Sequence, residues 1–369
     1  MSQQAGRSAP IDRLRGLVLV VMALDHCRDF VAPSGLSPEN LETTTLGFFA
    51  VRWVTHFCAP VFLLLAGTGA ALSDQRSGDR RATARWLATR GLWLMFLEVT
   101  WMNFMWFFNV HQIHLGVLWA IGGSMVLLAG FLALGAGRTL LGLVGAGGLV
   151  GLAIWPVSKG AALAFLFQPM WFENSPFGGL TVMSVYVVVP WFLVMALGWW
   201  AAHFLSMHPR GTALAGVGLF GLFLVLRLWH LVPESAPWEG HERGLSITLV
   251  DFLNPQKYPP SLLFALMTLG PALALLPLLQ RANGRLGAVL ETFGRVPLFF
   301  YLLHVPLYHL AGIAQAQGRF GVSRVPGDEP VSYLWLFGVW LLILLLLWPI
   351  CVWWRGVKES RKELWVRYL

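Results

Sequence analysis

The sequence predicts an all-α integral membrane protein, a polytopic bundle of about ten transmembrane helices with both termini on the cytoplasmic side. Hydrophobic residues make up 57% of the chain and charged residues only 12%, about half the charged share of a soluble domain. The 19 Trp and 25 Phe suit interfacial belts and helix packing. Most of the 26 lysines and arginines flank apolar runs on one predicted side, which is the positive-inside pattern.

The apolar runs predict the elements in chain order. The expected helices cover about 10–31, 48–72, 85–109, 116–135, 139–157, 182–205, 212–232, 261–280, 294–316 and 331–354. Residues 1–9 are expected to form a polar tail, 10–355 the transmembrane domain and 356–369 a basic cytoplasmic tail. Residues 158–181 are too mixed to span, and their aromatic side chains are expected to lie flat at the interface.

The net charge of +8 does not indicate a nucleic-acid partner, because the basic residues flank apolar runs in short loops. The cysteines Cys27, Cys58 and Cys351 lie in apolar surroundings without metal-binding spacing, so they are interpreted as small buried hydrophobic residues. The first apolar run ends in charges and lacks a cleavage site, which predicts a retained helix.

The first helix combines an apolar half with a strongly ionisable one. Arg15 and His26 are eleven positions apart, or three turns plus about 20°, so they share a face about 16 Å apart. Asp29 follows His26 by three residues, and its carboxylate can reach the imidazole and fix its tautomer. Asp25 and Arg28 are also three apart and can pair. Ionisable groups in a membrane helix indicate function, and the alternative is an ion network that only pins the helix end.

The second helix carries another ionisable pair. Arg52 and His56 are four residues apart and share a helix face. Opposite the first helix they would add a cation and a second imidazole to the same polar centre. The alternative is that Arg52 extends to the interface and His56 is a hydrogen-bonded core histidine.

A group of arginines precedes and enters the third helix. Arg81, Arg85 and Arg90 have the planar, two-pronged donors that suit phosphate groups. Contacts to lipid head groups and a role in fixing orientation are the alternative.

The remaining histidines do not predict a metal site. His304 and His309 are five residues apart and share a helix face poorly, so they are not expected to bind a metal together. His111 and His114 lie in a short link without further ligands. No metal cofactor is therefore expected.

These motifs resemble two related families of membrane enzymes. The spacing Arg15-x10-His26 and the run Tyr301-Leu-Leu-His304 resemble the acyltransferase-3 superfamily. Closer still is the bacterial family related to heparan-alpha-glucosaminide N-acetyltransferase. The motifs shared with it are Arg15-Gly16, the pattern Pro60-x-Phe62-x4-Gly67, Gly116-Val-Leu-Trp-Ala-Ile-Gly122, and the segment from Tyr258 to Phe264.

The resemblance implies a multi-pass acyltransferase of the bacterial cytoplasmic (inner) membrane. Its implied activity moves an acyl, and in particular an acetyl, group from cytoplasmic acyl-CoA to a sugar-like hydroxyl or amine acceptor at or across the membrane. The implied partners are acyl-CoA (acetyl-CoA above all), a carbohydrate or other small acceptor, and the lipid bilayer. A homodimer is compatible with the resemblance but is not implied by it. A proton-coupled transporter or channel that uses the intramembrane Asp, His and Arg residues is the alternative class of function.

The resemblance also suggests residue roles, with one departure. The related acetyltransferase carries an amide where His26 lies here and a histidine in the following loop, but residues 32–46 contain no histidine. His26 or His56 is therefore expected to be the base. The expected catalytic residues are His26, Asp25, Asp29, Arg52 and His56. The residues expected to bind acyl-CoA are Arg15, Arg81, Arg85, Arg90 and His304.

Overall fold

The structure is a computed structural model that describes residues 9–155, 163–172, 181–234, 236–361 and 363–369. Helices make up most of this part of the chain. They are α1 (Ala9–Val31), α2 (Leu46–Thr55), α3 (Cys58–Ser77), α4 (Arg80–Leu97), α5 (Asn103–Phe107), α6 (Val117–Ala133), α7 (Arg138–Ile154), α8 (Val188–Met207), α9 (Pro209–Leu228), α10 (Leu245–Phe252), α11 (Leu262–Ala274), α12 (Leu276–Arg281), α13 (Arg285–Arg295), α14 (Pro297–Phe320), α15 (Tyr333–Ser360) and α16 (Leu364–Tyr368). A π-helical turn, Glu98–Met102, and a 3-10 turn, Ala164–Leu166, accompany them.

The chain divides into two compact units. The first contains the described residues up to Cys58, Trp238–Asn254 and Leu276–Leu369. In it α1 packs against α2, α12, α13, α14 and α15. The second contains Ala59–Pro237 and Pro255–Leu275. In it α4 packs on α6, α9 on α11, and both α6 and α7 on α8.

Several helices have the length and composition of membrane spans. Among the described residues six candidates meet both conditions: Leu46–Ser77, Val188–Met207, Pro209–Leu228, Leu262–Arg281, Pro297–Phe320 and Tyr333–Ser360. The helices α6 and α7 are apolar but have only 17 residues each, shorter than the roughly 20 residues that cross a bilayer upright. The count of about ten spans and the orientation stay predictions.

Two predicted helix boundaries are wrong because of proline. The helix expected over 48–72 is interrupted between α2 and α3 at residues 56 and 57. Pro60 lies in the first turn of α3, where its ring would clash with the carbonyl of residue 56 in a continuous helix. Likewise the helix expected over 294–316 begins only at Pro297, the first residue of α14. Residues 294 and 295 belong instead to the separate helix α13. Proline is favoured at the first position of a helix because its missing N–H is not needed there.

A small sheet corrects the prediction that the chain is purely helical. Strands β1 (Gln112–Leu115), β2 (Met170–Phe172) and β3 (Thr181–Ser184) lie in the order β1-β3-β2. β3 pairs in parallel with β1 and antiparallel with β2. The helix expected from 182 therefore begins at Val188. Of the segment expected at the interface, residues 163–172 are described, and 158–162 and 173–180 lie outside the described residues.

Glycine lets α1 approach its neighbours closely in the first unit. A Cβ atom on Gly16 would overlap the carbonyl oxygen of Leu290 on α13. A Cβ atom on Gly294, next to the end of the same helix, would overlap the carbonyl oxygen of Asp12. The backbones of α1 and α13 are thus in direct contact, which fixes α1 within this unit.

Gly16→Ala is expected to lower the free energy of unfolding by about 1–3 kcal/mol, because the methyl group forces the two backbones apart. Gly318→Ala is the matched control: it lies on exposed α14 surface, where nothing lies within 4 Å of a Cβ. It is expected to be neutral or slightly stabilising. The measurement is denaturant unfolding of the purified protein in detergent. Equal midpoints for the two variants would contradict the packing argument.

Candidate active site

The C-terminal half of α1 presents buried ionisable side chains. His26 is 8% exposed and Arg28 only 5% exposed. The helix ends at Val31, two residues before Pro33, because the residue before a proline is disfavoured in the helical conformation. Buried charges are stable only when they are paired and hydrogen-bonded. The partners of these groups therefore define the site.

Asp25 lies at the centre of an ion network. Its carboxylate forms an ion pair with Arg28, with Nη1 2.5 Å from Oδ1, and accepts a hydrogen bond from Arg52, with Nη1 2.9 Å from Oδ2. The Thr55 hydroxyl donates to Asp25 Oδ1 at 2.7 Å. The structure thus brings α2 to α1 and pairs Asp25 with Arg28, as their three-residue spacing predicts. The Asp25 carboxylate thus bridges the guanidinium groups of Arg28 and Arg52.

The loop between α1 and α2 adds a second carboxylate to this network. Glu39 Oε1 accepts from Arg52 Nε at 2.7 Å. The same oxygen lies 3.8 Å from Nε2 of His56, whose side chain is fully buried. Glu39 was not among the predicted site residues, because a loop carboxylate has no periodicity that relates it to a helix face. The Glu39 carboxylate thus lies close to both Arg52 and His56.

His26 contacts a second histidine from a distant part of the chain. Its Nδ1 lies 2.7 Å from Nε2 of His304 on α14, and the rings are nearly parallel at 15°. His304 is fully buried, and its Nδ1 lies 2.9 Å from the carbonyl oxygen of Phe300. The rings of Tyr301 and His26 form a T-shaped pair with their centroids 5.8 Å apart. The two imidazoles and a backbone carbonyl form a continuous hydrogen-bonded chain.

These two hydrogen bonds assign the tautomers of His26 and His304. A carbonyl only accepts, so His304 Nδ1 must carry a proton and donate it to Phe300. A buried imidazole is stable as the neutral ring, which leaves a lone pair on His304 Nε2 to accept from His26 Nδ1–H. In neutral His26 the remaining lone pair is then on Nε2. This is the atom that can take a proton from another group.

The structure corrects the prediction of what orients His26. Asp29 was expected to contact the imidazole, but its carboxylate accepts from Arg28 Nη2 at 2.6 Å instead. Asp25 was the other expected partner, and it binds Arg28, Arg52 and Thr55. The residue bonded to Nδ1 of His26 is His304. An apolar environment favours this neutral partner, since a second imidazole adds no buried charge.

Arg15 lies three helical turns before His26 on the same continuous helix α1. Its Nη1 donates to Asp12 Oδ1 at 2.8 Å and to the carbonyl oxygen of Gly294 at 3.2 Å. Its side chain is 17% exposed. The structure therefore places this cation at the start of α1, beside the end of α13.

The arginines expected to bind phosphate lie on α4 in the second unit. Asp79 caps this helix by accepting from the backbone N–H of Ala82 at 2.9 Å. Arg81 and Arg85 are exposed and Arg90 is half-buried. Exposed guanidinium groups of this kind are available to a phosphate-bearing ligand.

Within the described residues, no group of three or more His, Cys, Asp or Glu side chains is arranged to hold a metal ion. His114, one of the two histidines in the link after the third predicted helix, lies on β1. Burial lowers the pKa of His114 to about 4. The neutral ring packs against Phe107, with the centroids 6.0 Å apart.

The apolar helices and a buried imidazole with an assigned lone pair fit a membrane-embedded enzyme that uses a general base. Residues 7–227, more than half of the chain, match the family model of heparan-alpha-glucosaminide N-acetyltransferase, catalytic. The chain belongs to this family. Comparison with curated proteins gives no match. The family gives the chain a membrane acetyltransferase-type function, which is favoured over a transporter or channel.

The matched range contains most of the predicted site residues. These are Arg15, Asp25, His26, Asp29, Arg52, His56, Arg81, Arg85 and Arg90. His304 lies beyond this range, on α14. The hydrogen-bonded partner of His26 therefore comes from the part of the chain that the family comparison does not cover.

Proposed function

We propose that this protein transfers an acetyl group from cytoplasmic acetyl-CoA to a hydroxyl or amine of a sugar-like acceptor at or across the membrane. The observation that carries the proposal is the buried hydrogen bond between His26 Nδ1 and His304 Nε2, in a chain of an acetyltransferase family. It leaves His26 Nε2 with the lone pair that a general base needs. The family name supports an amino sugar as the acceptor.

In the proposed reaction His26 Nε2 takes the proton of the acceptor as its oxygen or nitrogen attacks the thioester carbonyl carbon. The tetrahedral intermediate collapses with cleavage of the C–S bond, and the CoA thiolate receives the proton from His26. Arg52 or His56 stabilises the oxyanion of the intermediate through an N–H group. Asp25 acts as a positioning residue, because its carboxylate holds Arg28 and Arg52 together, and Asp29 holds Arg28.

His304 takes a positioning role in this proposal in place of the cofactor contact expected from sequence. Its side chain is fully buried, and both of its ring nitrogens are hydrogen-bonded. When His26 becomes protonated, its Nδ1–H bond to His304 gains strength, since hydrogen bonds from charged donors are stronger. His304 thus holds the ring and stabilises its cationic form without touching a substrate.

The variant His304→Phe is expected to lower kcat about 10- to 100-fold, because a hydrogen bond to a charged group contributes about 1.5–3 kcal/mol. The KM for acetyl-CoA should change little. His304→Gln is the conservative variant, whose amide oxygen can accept from His26 and restore part of kcat. Steady-state kinetics of the two purified variants measure this. Equal kcat for Gln and Phe would contradict the positioning role and indicate packing alone.

Arg81, Arg85 and Arg90 are proposed to hold the CoA phosphates, and Arg15 to contact the thioester arm. Arg85→Ala/Arg90→Ala is expected to raise the Kd for acetyl-CoA about tenfold or more, because each charged contact contributes about 1.5–3 kcal/mol. Arg210→Ala, which removes one exposed arginine from α9, is the control and should leave the Kd unchanged. Calorimetric titration of acetyl-CoA into the detergent-solubilised protein tests this. Wild-type affinity in the double variant would contradict the assignment.

The membrane arrangement is part of the same proposal. The chain is proposed to cross the bacterial cytoplasmic membrane about ten times as one transmembrane domain, 10–355, with both termini in the cytoplasm. The distribution of basic residues supports this orientation. It places the proposed CoA-binding arginines on the side where acetyl-CoA is available.

A further inference from the structure

Lys257 is a buried cation in the second unit, outside the residues assigned to acetyl transfer. It lies before α11, near the end of the segment 233–260 that separates the helices predicted over 212–232 and 261–280, and is only 7% exposed. Its Nζ lies 5.0 Å from the centroid of the Tyr258 ring and 6.0 Å from that of Tyr186. Within the described part of the chain no carboxylate is paired with this ammonium group.

The two tyrosines form a corner beside the ammonium group. Their ring centroids are 5.2 Å apart, with the planes at 79°. The Tyr258 hydroxyl donates to the Tyr186 hydroxyl at 3.2 Å. Trp191 stacks on the Tyr186 ring, with the ring centroids 5.6 Å apart, and holds that ring in place. The corner is therefore built on a buried residue and keeps its shape without a ligand.

Glu234, an acidic residue near the start of this segment, is already paired with other side chains. Glu234 forms an ion pair with Arg227, and both side chains are almost fully buried. Glu234 Oε1 also accepts from the Ser261 hydroxyl at 2.8 Å. Burial raises the pKa of Glu234, and the Arg227 charge opposes this shift. Among the described residues of the second unit, Arg227 is thus paired with a carboxylate, whereas the contacts of the Lys257 ammonium group are with aromatic rings.

An ammonium group on a residue that is only 7% exposed loses much of its hydration. Contacts to tyrosine rings restore only part of that loss. The ammonium group has three N–H donors and no acceptor. The aromatic rings do not accept hydrogen bonds from these donors as oxygen atoms would. The missing interaction is a negatively charged oxygen. Lysine binds phosphate and carboxylate as a point charge.

We propose that Lys257, Tyr186 and Tyr258 form a binding site for an oxyanion group, a carboxylate or phosphate, of a small ligand. The ammonium group supplies the charge, and the tyrosine corner supplies apolar surface and hydroxyl groups to the rest of the molecule. If the acetyl acceptor is the ligand, it is an anionic sugar. The site itself does not depend on the proposed function, because binding is measured without acetyl-CoA.

The test is calorimetric titration of the full-length protein in nanodiscs of zwitterionic lipid. The probes are D-glucuronate, its neutral analogue D-glucose, and inorganic phosphate; a second preparation contains phosphatidylglycerol as the only anionic lipid. Lys257→Met removes the charge but keeps an apolar chain of similar volume, so it should fold. Lys257→Arg keeps the charge. Lys358→Met, at a half-buried position on α15, is the matched control.

The expected result is anion binding whose Kd rises about tenfold or more in Lys257→Met. Lys358→Met should bind like the wild type, and Lys257→Arg should retain part of the affinity. Glucuronate binding without glucose binding identifies a sugar acid as the ligand class. Binding of phosphate alone identifies a free anion, and loss of soluble-probe binding only in phosphatidylglycerol nanodiscs identifies a lipid head group. The proposal is overturned if no anion binds, or if Lys257→Met and Lys358→Met bind every probe equally.

Discussion

His26→Ala is expected to lower the rate of acetyl transfer about 10²- to 10⁴-fold, the contribution of a positioned general base. The Kd for acetyl-CoA should stay the same, because the residue acts on the acceptor proton and does not hold the phosphate groups. Single-turnover transfer and calorimetric binding, measured on the same purified sample, separate the two effects.

The matched control for this variant is His309→Ala. His309 lies on α14 rather than α1 but is 8% exposed like His26, and its ring stacks on Phe30 with the centroids 4.4 Å apart. Its loss is expected to affect stability but not the rate of transfer per folded molecule. If both alanine variants lose the same activity, or if His26→Ala keeps wild-type activity, His26 is not the base. Activity lost together with acetyl-CoA binding would also contradict the assigned role.

Asp25→Asn is expected to lower the free energy of unfolding by about 1–3 kcal/mol, because two buried guanidinium groups lose the carboxylate that they share and are left to pair with Asp29 and Glu39. The effect is large here since the Asp25 carboxylate contacts both Arg28 and Arg52, which are largely buried. Denaturant unfolding in detergent measures the change.

Asp29→Asn provides the comparison within the same network. The Asp29 side chain is 36% exposed, and within the described residues its ion pair is with Arg28, so its loss should cost about 1 kcal/mol or less. Equal losses for the two variants would contradict the central position of Asp25. The double variant Asp25→Asn/Arg52→Gln should cost less stability than the sum of the two single variants, because Asp25 and Arg52 are in direct contact.

The sequence was sufficient to predict the local part of the site. Helical periodicity correctly relates Asp25 to Arg28, and the presence of ionisable groups on two neighbouring apolar helices indicates that Arg52 joins them. Such predictions succeed because the geometry of a helix fixes which residues share a face. The apolar surroundings of the three cysteines also correctly predict that their side chains are buried.

The long-range part could not be predicted. His26 and His304 are 278 positions apart, and no local pattern shows that α14 packs on α1. The motif containing His304 is informative only as a family resemblance. Glu39 lies in a loop, where no period relates it to a helix. The helix breaks depend on Pro60 and Pro297, whose effect the apolar runs conceal, and β3 was hidden because its residues are as apolar as a helix.

The central claim is that the protein cleaves the thioester of acetyl-CoA and transfers the acetyl group. The most direct measurement follows release of the CoA thiol by the purified wild-type protein with acetyl-CoA and glucosamine as the probe acceptor. The account predicts equal amounts of free thiol and acetylated glucosamine, formed at a rate that His26→Ala lowers about 10²- to 10⁴-fold. Acetyl-CoA that stays intact in the presence of folded wild-type protein, with neither transfer nor hydrolysis, would contradict it.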